Sequence, residues 1–444
     1  MMFGTSGIRG EFGTDVTAGL ALDAGRAVAS AGASRVVLGR DARATGKPLA
    51  DAVAAGLSEC GADVVRLGVV TSPTVARAVG WHDADAGVTV TGSHNPPADN
   101  GLKFWGESGR AMVGRRQADL VRRMERDEYE VRRWDEVGSV STASDAVSRH
   151  VDAIADDGAV SDLDVVLDVG NGTGGLTAEA LRRTGCRVRT LDADRDGSFP
   201  VRPSEPTAEN CARLAAVVAE SDADLGVAHD GDADRMMAVT ESGTFVSGDV
   251  LLAVFAREAA EAGDEVAVPV DTSIVVSEAL EAIGATPSHT KVGDGHVAAR
   301  ASLDGVVFGG EPSGVWIWPG VTPCPDGPLA AVRLAKLVAR RGSFDDLIDD
   351  VPSASIRRGN VETEDRETVV DRVRGYVAGR YPDTTALDGV RVNVDDGWFL
   401  VRASGTQPLV RVTAEARTDD RVDSLFRTAK CLVDRATADI ELKI

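Results

Sequence analysis

The chain has 444 residues, 43% of them apolar and 27% charged, with a formal net charge of −22. That size and balance suit a globular protein of about three domains. The acidity argues against a nucleic-acid surface, which needs clustered Lys and Arg, and no run approaches the ~18 uninterrupted apolar residues of a membrane helix.

The first residues, Met1-Met2-Phe3-Gly4-Thr5, lack a basic region followed by an apolar stretch, so no signal peptide is expected. Cys60, Cys186, Cys211, Cys324 and Cys431 are scattered without CxxC spacing, as expected of free thiols in a reducing cytoplasm. The only lysines are Lys47, Lys103, Lys291, Lys336, Lys430 and Lys443. Abundant Asp and Glu with so little Lys point to a salt-rich, archaeal cytoplasm, where ions screen the self-repulsion of the chain. A merely acidic protein is the plainer alternative.

In chain order, Gly4-Thr5-Ser6-Gly7-Ile8-Arg9-Gly10 comes first, a glycine-rich element whose N–H groups, hydroxyls and guanidinium suit an anion. Residues 35–38 read as a strand before a helix over 47–60, and 64–70 as a strand before a helix over 73–79. The apolar run 86–90 then leads into Thr91-Gly92-Ser93-His94-Asn95-Pro96. Asn95-Pro96-Pro97 forces a turn, which puts the Ser93 hydroxyl in a loop at the exposed end of a strand, where open α/β sheets carry their chemistry. An ordinary turn serine is the rival reading. Lys103 follows closely; retained in a chain that prefers arginine, it hints at a need for a titratable amine.

Strand-length runs resume at 165–167, 225–228, 266–270 and 306–308, and their alternation with helical segments predicts parallel sheets covered by helices. Gly170-Asn171-Gly172-Thr173-Gly174-Gly175 fits the G-x-G-x-x-G dinucleotide fingerprint, with Asp192 at about the expected distance, and so supports a nicotinamide-dependent oxidoreductase as an alternative. Asp192-Ala193-Asp194-Arg195-Asp196-Gly197 starts like a calcium loop but has Pro203 where the bidentate Glu belongs.

Asp230-Gly231-Asp232-Ala233-Asp234-Arg235 sets three carboxylates at alternate positions, a costly arrangement unless a hard divalent cation sits among them. With Glu241 the spacing is also that of an EF-hand, so a calcium module is a second alternative, although Arg235 stands where that loop needs glycine. Mg²⁺ on a loop between strands fits better, because 236–240 reads as a strand. Gly310-Glu311-Pro312-Ser313-Gly314 offers a Glu and a Ser to sugar hydroxyls. The last stretch differs: a helix over 366–379, strands near 389–394, 398–402 and 410–416, and a helix to about 435 form an α+β unit. Between two of its strands, Arg402-Ala403-Ser404-Gly405-Thr406-Gln407-Pro408, with Arg411 behind, suits a phosphate. Breaks near Ser148, Gly248 and Pro352 divide the chain into 1–147, 148–247, 248–352 and 353–444.

Together, in this order, the loops 91–96, 230–235, 310–314 and 402–408 resemble those of the α-D-phosphohexomutase superfamily over essentially the whole chain. The resemblance implies an α/β fold: three similar α/β domains with mixed, largely parallel sheets and a C-terminal α+β domain around a central cleft. It implies a phosphosugar mutase that moves a phosphoryl group between the 6- and 1-positions, through a phosphoserine at Ser93 and a bound sugar 1,6-bisphosphate. Mg²⁺ would lie on Asp230, Asp232 and Asp234 and touch the Ser93 phosphate. Lys103 would act as general acid/base, Arg9 as electrostatic stabiliser and His94 in support. Arg402, Ser404, Gly405 and Thr406 would hold the phosphate that is not reacting, with Thr5, Ser6, Arg235, Lys291, Glu311, Ser313 and Arg411 completing the substrate set. The enzyme would be a cytoplasmic monomer or homodimer whose partner is the phosphosugar, without nucleic acid or membrane.

Three residues depart from the pattern: Ala233 for a glycine, Gln407 for a glutamate, and Val315 for the histidine of many bacterial relatives. The run 311–317, followed by Asp326-Gly327, resembles the archaeal phosphoglucosamine mutase branch; glucose, mannose and pentose phosphates stay open as substrates.

Overall fold

The computed structural model describes residues 3–4, 7–155, 160, 162–405 and 408–438. Four sheets follow one another along the chain. The first has seven strands, in the spatial order Phe3–Gly4, Gly7–Glu11, Asp99–Gly106, Ala86–Val90, Arg35–Arg40, Asp63–Val69 and Val140–Thr142. The second is ordered Met236–Thr240, Leu225–His229, Asp164–Asp168 and Arg187–Leu191, and the third Thr286–Thr290, Glu265–Pro269, Val306–Glu311 and Val315–Ile317. The fourth is antiparallel throughout: Ser355–Glu362, Leu409–Ala416, Gly397–Ala403, Val390–Val394 and Thr384–Thr385.

The first three sheets share one device. Each has a parallel set whose last strand turns straight back into an antiparallel neighbour. Val90 is paired with Leu102, His229 with Met236, and Glu311 with Val315. Each turn-back carries one of the polar loops, so the hydroxyl, the carboxylates and the sugar loop all sit at the C-terminal ends of parallel strands. In the fourth sheet the phosphate loop also joins antiparallel neighbours, Gly397–Ala403 and Leu409–Ala416.

Elements form where apolar periodicity demands them. The strand Ala86–Val90 is buried at every position, and helices such as Ser72–Trp81, capped by the Thr71 hydroxyl, cover the sheet. The expected helix over 47–60 is Gly46–Glu59, and that over 366–379 is Arg366–Ala378. Ser355–Glu362 carries no expectation: its alternation is half-exposed and polar, and its partner strand lies far along the chain.

The second and third sheets share one apolar core, with Val165 and Leu167 in the same cluster as Val266, Val268 and Phe308. That common core sets the metal loop and the sugar loop in a fixed relation. Asp326 ties the first domain in. It caps the helix Gly327–Arg341 through Leu329 N–H (3.0 Å), and it accepts from Arg77 Nε (2.8 Å) and pairs with His150 Nε2 (3.1 Å). The fourth sheet has its own core and meets the third domain through Val270, Trp398 and Leu400 and a buried Glu415, which accepts from Ile274 N–H (2.8 Å) and Trp398 Nε1 (2.6 Å). Among the described residues, no helix is long and apolar enough to cross a membrane.

Candidate active site

Ser93 adopts a left-handed backbone, with φ 49°, and is 1% exposed. Its Oγ donates to Asp230 Oδ2 at 2.9 Å and lies 3.5 Å from His94 Nδ1. The expected serine and aspartate loops therefore meet side chain to side chain, across a sequence separation of 137.

Asp230, Asp232 and Asp234 are all buried, and each offers an oxygen within 4.8 Å of the others. Burial, then Asp232 and Asp234, push the Asp230 carboxyl well above the usual range; burial and Asp232 raise Asp234 as well. Asp232 moves the other way despite burial, because Lys103 and the Ser72 hydroxyl favour its ionised form. Its Oδ1 has no hydrogen-bond partner. An all-oxygen, mutually repelling set with an orphaned buried carboxylate oxygen fits a hard divalent cation, and Ser72 N–H fixes the loop by donating to Asp232 O at 3.0 Å. Ala233 has φ 54°, a left-handed backbone that favours glycine, so its methyl is tolerated at a cost of about 1 kcal/mol.

The EF-hand alternative fails on Glu241. Its carboxylate accepts from the N–H groups of Phe344 (3.1 and 3.2 Å) and Asp345 (3.1 Å) at the start of another helix, away from the loop. The dinucleotide alternative fails on Gly172, where a Cβ would lie 2.7 Å from Gly231 O. That glycine makes room for the metal loop, not for a pyrophosphate, and Thr173 N–H holds the same carbonyl at 3.0 Å.

Lys103 Nζ contacts Asp232 Oδ2 at 2.7 Å and also Asp234 Oδ2. Burial disfavours its charge, but these two carboxylates outweigh it and raise the ammonium above its usual range. His94 is held neutral, well below the usual histidine range, by Arg235, burial, Arg9 and Lys103. Arg9 sits on the strand Gly7–Glu11 opposite Gly101, with its buried Nε unpartnered. Thr5, Ser6, Thr406 and Gln407 lie outside the described residues.

Glu311 accepts from Gly293 N–H (2.6 Å) and from Ser313 Oγ (3.2 Å); burial and Asp294 push its carboxyl up to about 7. The loops of the second and third domains touch directly, since Met236 N–H donates to Gly314 O at 2.9 Å and Arg235 bridges to Val315. Val315 is thus a buried contact of the metal loop, 2% exposed.

Arg402 and Arg411 stand opposite each other across neighbouring strands, a like-charged pair whose nearby counter-charge is Asp271, 3.9 Å from Arg402 Nη2. Burial, then Arg402, lower the Arg411 guanidinium. Together with Lys291, His296, Ser404 and Gly405 they line a cavity of about 420 Å³, while Glu311 and Ser313 line a separate one.

Three positions that hold these loops have no counterpart in the expectations from sequence. Arg43, 0% exposed, donates through Nη2 to Ser93 O (2.9 Å) and Asn95 O (2.6 Å) and is held by Asp41. Ser204 Oγ donates to Ser93 O (2.9 Å). His229, a neutral ring pushed down to about 4 by burial, donates from Nδ1 to Arg235 O (2.8 Å) and takes a hydrogen bond from Thr177. For Arg43 the available signal was a charged pair, Asp41 and Arg43, directly after the strand Arg35–Arg40.

Models of all four phosphoglucomutase/phosphomannomutase domains match in order: domain I over residues 1–130, II over 144–243, III over 247–354 and the C-terminal domain over 359–428. The chain belongs to the phosphoglucomutase/phosphomannomutase family. As a member it is a phosphohexomutase, an isomerase of the phosphotransferase kind. A probable phosphoglucosamine mutase of Methanopyrus kandleri is 44% identical over 99% of both chains. A protein of the same name from Methanococcoides burtonii is 40% identical over 98% of this chain and 99% of that one. The crystal structure of a phosphoglucomutase/phosphomannomutase family protein from Burkholderia thailandensis matches with a TM-score of 0.89 at 29% identity, over 98% of this chain and 97% of that one.

Proposed function

We propose that this phosphohexomutase interconverts the 6- and 1-phosphates of glucosamine, through a phosphoserine at Ser93 and a sugar 1,6-bisphosphate that turns over while bound. The observation that carries the reading is the Ser93 hydroxyl, 2.9 Å from Asp230, at the edge of a carboxylate triad in which Asp230 stays strained and Asp232 Oδ1 stays unpartnered even with Lys103 against the other two. Mg²⁺ held by Asp230, Asp232 and Asp234 supplies neutralisation of phosphoryl charge when bound. Everything else belongs to the chain. Arg402, Arg411, Ser404, Gly405 and Lys291 grip the distant phosphate, and that remote binding energy aligns either end of the sugar with Ser93. Glu311 and Ser313 orient the sugar hydroxyls. Lys103, kept protonated by its carboxylate neighbours, gives a proton to the leaving oxygen and regains it from the attacking hydroxyl; Arg9 and Arg235 balance the phosphoryl charge, and neutral His94 supports the Ser93 loop.

Glucosamine is favoured by the full-length relatives of that name. The acidic sugar loop, with Glu311 raised by burial and then by nearby Asp294, also suits an ammonium. The deciding test is a panel of glucosamine 6-phosphate and glucose, mannose and ribose 1-phosphates, with Mg²⁺ and a bisphosphate primer in high salt, compared by kcat/KM. Glucosamine 6-phosphate is expected to lead; another leader overturns the sugar assignment, and turnover of none overturns the reading.

Two further results are expected. Because burial raises the Glu311 carboxyl to about 7, the free enzyme carries it protonated below that pH and ionised above, so kcat/KM rises through about pH 7. Substrate phosphate also ionises near pH ~6, but equally for every variant, so a flattened rise in Glu311→Gln identifies the residue. At a net charge of −22, Tm is expected to climb as KCl increases from about 0.1 M, where the Debye length is ~10 Å, to about 1 M, where it is ~3 Å. A flat differential-scanning series would remove the case for salt adaptation and, with it, for a salt-rich cytoplasm.

A further inference from the structure

The Ser93 carbonyl accepts two hydrogen bonds from side chains that belong to different domains. One comes from Arg43 Nη2 and the other from Ser204 Oγ, both at 2.9 Å. The Ser204 hydroxyl is also an acceptor, taking Gly231 N–H of the metal loop at 2.9 Å. A single buried hydroxyl, 3% exposed, thus joins the main chain of the Ser93 loop to the main chain between Asp230 and Asp232.

The surroundings are built for this contact. A Cβ on Gly231 would lie 2.8 Å from Ser204 Oγ and 2.8 Å from Ser93 O, so only glycine lets the loops close to this distance. Phe199, from the same segment as Ser204, lies against the Arg43 guanidinium at 5.0 Å from ring centroid to Cζ. Gly197 packs on Arg43 itself, where a Cβ would come within 2.3 Å of its Cα.

We infer that Ser204 is a positioning residue for phosphoryl transfer: with Arg43 it clamps the Ser93 carbonyl and sets the reach between the Ser93 hydroxyl and the Asp230 loop. The reason is geometric. Ser93 sits at φ 49°, a conformation its own side chain does not favour, so its peptide plane needs outside support. Two acceptors filled on one carbonyl fix that plane and hence the Cα–Cβ direction. Ser204 adds what Arg43 cannot, because Arg43 lies in the first domain with Ser93, whereas Ser204 belongs to the segment that carries the metal loop. The role in catalysis rests on the proposed phosphoserine; the clamp itself does not.

The experiment therefore has two arms. In metal-free, substrate-free protein, hydrogen–deuterium exchange compares Ser204→Ala with wild type. Faster exchange in peptides covering Gly231 and 93–95 is expected in the variant, because Gly231 N–H loses its acceptor; unchanged exchange in both overturns the clamp. In the activity assay, Ser204→Ala is expected to lower kcat about 30-fold with KM within about twofold, since small misplacement of reacting groups costs up to about two orders of magnitude. Ser204→Thr, which keeps the hydroxyl, is expected to recover most of that loss. Loss of kcat only in proportion to a lowered folded fraction, or a Thr variant as impaired as Ala, overturns the positioning role. An inactive wild type would instead remove the mutase reading and leave the exchange result standing.

Discussion

Ser93→Ala is expected to lower kcat/KM by roughly four orders of magnitude while Tm stays within a few degrees of wild type. The contrast follows from how the residue is held. The contacts that shape its loop go through the main chain: its N–H donates to Thr91 Oγ1 (2.7 Å), and its carbonyl accepts from Arg43 and Ser204. Alanine keeps all of these and is no worse than serine at φ 49°. Only the hydroxyl is lost, together with its bond to Asp230, and that hydroxyl is the proposed phosphoryl carrier. Intact-mass analysis after incubation with a sugar bisphosphate should find a phosphate on wild type and none on the variant. Comparable turnover and phosphate on both proteins would place the carrier elsewhere.

Asp230→Asn is expected to have opposite effects on stability and activity. Burial and the two neighbouring aspartates raise the Asp230 carboxyl well above its ordinary range, so its ionised form is the destabilised one in the folded chain. For an acid with a raised folded pKa, stability is lost as pH climbs from the unfolded value through the folded one. Near neutral pH the charge therefore opposes folding, and the amide removes it. Metal-free Asp230→Asn should melt higher than metal-free wild type, whereas the upward shift in Tm that Mg²⁺ gives wild type should shrink or vanish. Activity should fall about a thousandfold, as when a group acting directly on the transferred charge is deleted. Calorimetry with and without Mg²⁺ checks both signs. A variant that melts lower without metal, or keeps the full Mg²⁺ shift, would contradict the assignment of Asp230 as a strained ligand.

What could be read from the chain alone was what is local. The triad lies within five consecutive residues, so its repulsion and its need for a cation are legible without a fold. Strands such as Ala86–Val90 and Leu225–His229 announce themselves as short apolar runs, because both faces of their sheets are covered. The loops at their ends follow from strand polarity. By contrast, the edge strand Ser355–Glu362 has a polar, half-exposed alternation that carries little signal before its partner Leu409–Ala416 is known.

The fingerprint at 170–175 shows the limit most clearly. Its glycines meet the rule for a nucleotide loop, and close approach is indeed what they permit, but the approaching group is the backbone of Gly231. Arg43 and Ser204 are the converse case. Neither belongs to a motif, yet they reach Ser93 O across 50 and 111 residues of chain, and Ser72 reaches Asp232 across 160.

The sequence by itself determined the chemical groups, their order and the elements that present them, because hydrophobic period, turn residues and charge repulsion all act over a few neighbouring positions. Only the tertiary structure decided which groups meet, that Lys103 is bound as an ammonium between Asp232 and Asp234, and that one buried serine joins two loops. Those outcomes depend on packing between domains and on burial, which change hydrogen-bond partners and proton affinities without leaving any local pattern in the chain.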